Sequence, residues 1–173
     1  MKTIISALVF TAALVGCDAI DTTTDTVPRN GDDIECPTAC TRTQGFWKTH
    51  NVHAAQQQKQ TPWPIPEDTL LCGETWYDLL HTPVNGDNWL NLAHQWIAAM
   101  LNVAANSPAG DACDVCPGIE LTPEVADALL EGKLLLQTCS VTDEQWAAYA
   151  EDLKDTLDAF NNGNKGVPHC DNI

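Results

Sequence analysis

His50 and His53 stand three residues apart in CTRTQGFWKTHNVH, residues 40–53. On a helix running through Phe46 to Gln58, that spacing puts both imidazoles on one face, a usable arrangement for a divalent metal. His94 falls at the border of the apolar arc of a helix farther along the chain. A site of His50, His53 and His94, with Asp87 or Asp78 as a fourth ligand, would make this a metal-binding protein or a metal-dependent hydrolase. The plainer alternative has the same histidines bonded to backbone carbonyls at the rim of a core. A pH-sensitive or ligand-contact role is a third reading.

Beyond Cys17 the chain carries seven cysteines: Cys36, Cys40, Cys72, Cys113, Cys116, Cys139 and Cys170. Cys113-Asp-Val-Cys116 has a spacing shared by zinc sites, redox pairs and haem attachment. Haem attachment needs a histidine after the second cysteine, and Pro117 stands there. A thioredoxin-like pair needs a βαβ setting, whereas NSPAGDAC and CPGIEL are turn-forming. In an exported chain all seven are disulfide candidates, and the odd number leaves one thiol outside three bridges. Cys170 is expected to bridge to Cys36 or Cys40, tying the two ends of the domain together.

Trp89, Trp96 and Trp146 fall on apolar helical faces and belong in a core. Trp63, inside the proline-rich TPWPIPE, and Trp47 are the ligand-contact candidates, and they would make the protein a carbohydrate-binding module. There is no HExxH, GxSxG, phosphate-loop or dinucleotide glycine pattern. No catalytic residue is assigned, and no cofactor is predicted, a divalent metal being the one left open.

The elements that must position these residues are helical. Asn88 to Ala105 places Leu92, Trp96, Ile97 and Leu101 within an apolar half-cylinder, with Asn91, Gln95 and Asn102 opposite. Thr122-Pro123 is an N-cap followed by proline in the first turn. The helix it starts carries Val125, Leu129, Leu130 and Leu134 to Leu136, with Gly132 as a weak point. Thr142 to Gln145 is a capping box, and Trp146, Tyr149, Ala150, Leu153, Leu157 and Phe160 then recur at helical spacing until Asn162-Gly163. A further helix is expected over Glu74 to His81, and a short strand pair around Leu70–Cys72. The fold class is mainly α: a single disulfide-stabilised helical domain with long loops and little or no sheet.

Residues 1–16 read as a signal peptide, with Lys2 ahead of an apolar run too short to span a bilayer. Leu14-Val15-Gly16-Cys17 resembles the lipobox of bacterial lipoproteins. The resemblance implies cleavage before Cys17 and acylation there, with palmitate-like chains as the membrane anchor; ordinary secretory cleavage, for instance after Ala19, is the alternative. Residues 18–35 hold six acids against one arginine and no apolar periodicity, as a flexible tether would. Residues 36–173 then form one domain with 18 acids against six basic residues, a balance of −12. That surface repels phosphate backbones, so nucleic acid is excluded as a partner, while a protein or glycan remains open.

CTRTQGFWKTH also resembles the opening of secreted bacterial modules beginning TQG(F/Y)WK-x-H. The likeness continues in LCGETWYDLLHTPVNG (71–86), LAHQWIAAMLN (92–102) and LDAFNNGNKGVPHC (157–170). It implies export, helical content and a single extracytoplasmic domain, and with the lipid anchor the expected place is the bacterial cell envelope, at the outer membrane or cell surface. It assigns no catalytic residue.

Overall fold

The computed structural model describes residues 38–55, 57–107 and 118–172. The signal segment, Cys17, the tether, Cys36, Cys113 and Cys116 lie outside the described residues. Helix α1 (Gln44–Thr49) starts where the Thr43 side chain accepts from the Phe46 amide. Strands β1 (Leu70–Leu71) and β2 (Glu74–Thr75) form a minimal antiparallel hairpin around Cys72-Gly73, both at positive φ. Thr75 then caps α2 (Trp76–His81). The long helix α3 (Asn88–Ala105) is capped by Asp87, and α4 (Pro123–Leu136) by Thr122 with Pro123 in its first turn. A capping box of Thr142 and Gln145 opens α5 (Asp143–Gln145). A π-helical turn, Trp146–Ala150, leads directly into α6 (Glu151–Asn161). The domain is mainly α, as expected, with two described disulfides, Cys40–Cys170 and Cys72–Cys139.

Helix α3 is the axis of the fold. It packs against α4 and α6, which also pack against each other, and against α1 and α2. Leu92, Ala93, Ile97, Ala98, Ala99 and Leu101 are fully buried. Contact from so many elements overturns one expectation: Gln95 and Asn102 are buried, not solvated. Asn102 Oδ1 accepts from the Arg42 amide at 2.8 Å and from Trp47 Nε1 at 3.2 Å. Its Nδ2 donates to Arg42 O at 2.8 Å and to Asn161 Oδ1 at 2.9 Å. Asn161 Nδ2 in turn donates to the carbonyl and side-chain oxygens of Gln95. Asn106 holds Cys40 in the same manner, through both its amide and its carbonyl. Each buried amide is therefore satisfied, which is the condition for burying it at all.

Gly132 is not a weak point but a close approach. A Cβ there would lie 3.1 Å from Trp96 Cδ1, and the same indole donates from Nε1 to Leu129 O at 2.8 Å. At the end of α6, Gly163 takes φ +70°, and the Asn164 amide reaches back to Ala159 O, closing the helix. Thr41 pairs with His169, so the two ends of the described chain meet where Cys40 and Cys170 are joined. The apolar stripes of α4 and the π turn are wider than their neighbours can cover: Leu130 (57%), Leu134 (59%) and Tyr149 (41%) are exposed.

Candidate functional site: a cleft beside the second helix

Helix α1 ends at Thr49, because His50 takes φ −115°, ψ 90° and leaves the helical register. His50 and His53 therefore never share a helical face, and the metal alternative does not assemble among the described residues, whereas His50 and His94 meet backbone carbonyls as the plainer reading has them. The His50 ring stacks on Phe46 with centroids 4.1 Å apart, and its Nδ1 lies 3.0 Å from Phe46 O. His94 is buried on α3, with Nε2 2.7 Å from Leu79 O. Burial above all pushes its pKa below the ordinary histidine value. Asp87 caps α3, and Asp78 accepts from the Thr75 hydroxyl at 2.7 Å. Among the described residues no group of three His, Cys, Asp or Glu side chains could hold a metal ion.

The two ligand-contact tryptophans are buried too, Trp63 at 6% and Trp47 at 5% exposure. Trp63 Nε1 donates to the carbonyls of Trp47 and His50 at 3.2 and 3.0 Å. Its indole caps the free carbonyls at the end of α1 and pins the proline-rich segment onto that helix. Trp47 hands its own N–H to Asn102. Neither is a free stacking platform for a sugar.

What these anchors build is an open cleft of about 400 Å³, walled by Val52, Pro62, Pro66, Trp63 and Tyr77. Its polar groups are His53, Glu67, Asp68, Thr75 and Asp78. The Glu67 side chain is 11% exposed; Oε1 accepts from the Val52 amide at 3.0 Å, and Oε2 stands 3.3 Å from His53 Nε2. That second contact lacks hydrogen-bond alignment, so Oε2 keeps an unused lone pair. The His53 ring meets Tyr77 edge-on at 4.7 Å, and Tyr77 stacks on His81 at 4.1 Å. His53 and Tyr77 also line a second hollow, of about 360 Å³.

No family model matches the chain, and no curated protein or solved structure is similar to it. The geometry alone must say what the cleft can do. The His53–Glu67 pair can hold or pass a proton. The Thr75 hydroxyl in the cleft has its proton committed to Asp78, and the described cysteines are all in disulfides. Of the residues that form the cleft, the sequence reading singles out His53, Asp78 and Trp63, the first two as metal ligands and the third as a stacking platform, and none in the role it has here. Tyr77 and His81 did carry a signal, being four apart on a helix that Thr75 was placed to cap. Glu67 carried none, since its role depends on the chain folding back across α1.

Proposed function

We propose that the protein is a lipid-anchored binding or structural module of the bacterial cell envelope, non-catalytic and held outside the cytoplasm at the outer membrane or cell surface. Cys17 carries the acyl chains, and residues 18–35 are the tether. The two disulfides support an oxidising compartment. The observation that carries the binding reading is the open cleft at His53, Glu67 and Tyr77, where rigid apolar walls surround a few fixed polar groups. An anchor of more than one acyl chain holds stably, because each buried methylene contributes about 0.8 kcal/mol. The Cys17→Ala protein is expected in the soluble fraction after cell lysis, with the unaltered protein in the membrane fraction. Membrane association that survives the substitution would refute the anchor.

A further inference from the structure

The second hollow differs from the rest of the surface in its charge. It is lined by Lys48, Lys59, His53 and His81, with Tyr77 between the two imidazoles, and no carboxylate lines it. In a chain with 24 acids against eight Lys and Arg, four nitrogen bases converging on one hollow run against the composition. Among the described residues neither lysine makes an ion pair. The last turns of α1 and α2 account for Lys48 and His81, since a cation there offsets the helix dipole. They do not account for Lys59, which reaches the same hollow from a 3₁₀ turn, Gln57–Lys59.

The hollow is also held in shape. Asn51, 2% exposed, donates to Lys48 O at 2.9 Å and accepts from the His53 amide at 2.9 Å. Gln60 Nε2 donates to Ala54 O at 3.0 Å, closing the loop that brings Lys59 in. His81 Nδ1 lies 2.8 Å from Tyr77 O, which places the proton of the neutral ring on that nitrogen, so Nε2 donates to an oxyanion only when the ring is protonated. Glu67, which stands against His53, lines the neighbouring cleft together with Asp68 and Asp78. Burial is the main reason His94, behind the hollow, titrates low; backbone hydrogen bonds to Leu79 and Thr82 oppose it, and the charges of Lys48 and His81 add to it.

We propose that this hollow is an oxyanion site, taking a carboxylate, phosphate or sulfate group between Lys48 and Lys59, with the Tyr77–His81 stack as its wall. The inference rests on the binding-module reading and gives it a ligand class. The test is isothermal titration of the mature chain, in a neutral detergent, with inorganic phosphate, sulfate and acetate as separate probes. Saturable binding is expected for at least one probe, and the order among the three identifies the group. Lys48→Gln and Lys59→Gln should each weaken it roughly five- to tenfold, with Lys59→Arg retaining most of it. Lys165→Gln, which alters a lysine outside the hollow, should leave it unchanged, and thermal unfolding midpoints equal to the unaltered protein's establish that each variant is folded. Absence of saturable binding to all three probes, or an equal loss in Lys165→Gln, would overturn the proposal. A parallel titration with neutral oligosaccharides separates the two readings. Binding there without oxyanion binding removes the oxyanion site and leaves the module a binder, whereas silence in both removes the oxyanion site and the glycan reading together.

Discussion

Replacing Asn102 by alanine deletes the joint on which three parts of the domain meet. Its side chain is 1% exposed and makes four hydrogen bonds, joining α3 to the Arg42 backbone, to Trp47 and to Asn161. Water can reach the half-buried Arg42 amide and carbonyl, so those two bonds are replaced at little loss. Trp47 Nε1 and Asn161 Oδ1 are buried, and each is left without a partner. An orphaned buried donor or acceptor costs about 1–3 kcal/mol, which puts Asn102→Ala at roughly 3–5 kcal/mol. That is a large part of the roughly 5–15 kcal/mol that holds a domain folded. Urea unfolding under oxidising conditions, followed by tryptophan fluorescence, reads it directly. Asn161→Ala in the same assay, together with the double substitution, isolates the coupling, expected at about 1–2 kcal/mol because the two side chains share a bond. A loss below about 1 kcal/mol for Asn102→Ala would mean that the polar seam is solvated, and the account of α3 as a helix buried against several elements would fall with it.

Three further outcomes are expected. Gly163→Ala should destabilise by more than about 3 kcal/mol or prevent folding, since a Cβ would lie 2.1 Å from the His169 amide nitrogen at a φ of +70°; a thermal midpoint within a few degrees of the unaltered protein's would contradict it. His94 has its pKa lowered in the fold, so below its ordinary value of 6.5 the unfolded chain binds the extra proton first. Stability should therefore be full above that pH and fall as the pH drops toward the folded value. His94→Gln should flatten this part of the urea-midpoint profile, and an unchanged slope would show that another group causes it. Cys40→Ser with Cys170→Ser opens a closure of sequence separation 130, for which the chain-entropy model gives about 4–5 kcal/mol; a denaturant midpoint that does not move would exclude that contribution.

The helices were legible where local rules decide them. Asn88–Ala105, the Thr122-Pro123 start, the Thr142–Gln145 box and the Gly163 stop all rest on a few neighbouring residues, and each stands where those residues put it. Periodicity failed where a helix is covered by several elements, because Gln95 and Asn102 look solvated until Asn161 and Arg42 are brought against them. It also said too much for α4, where Leu130 and Leu134 extend the stripe beyond what α3 and α6 cover. The site was harder still. His50 and His53 were read on one helix face, but the turn ends before them. Trp63 was read as exposed because prolines surround it, yet its indole N–H is what the end of α1 lacked. The Cys40–Cys170 pairing was one of two open choices for Cys170, while the Cys72–Cys139 pairing left no trace in the order of residues.

The junction at Cys40 has a mechanical meaning. Thr41 hydrogen-bonds to Pro168 O through its amide and receives the Cys170 amide on its carbonyl, beside the covalent link from Cys40 to Cys170. A pull on the chain ahead of Cys40 therefore cannot peel α1 away first and unzip the helices in turn. The load passes through sulfur to the opposite end of the domain and loads both ends of the chain at one point. Strain in that geometry must break a covalent bond or shear a whole seam, so the helices beyond it remain unloaded while the chain ahead of Cys40 is pulled.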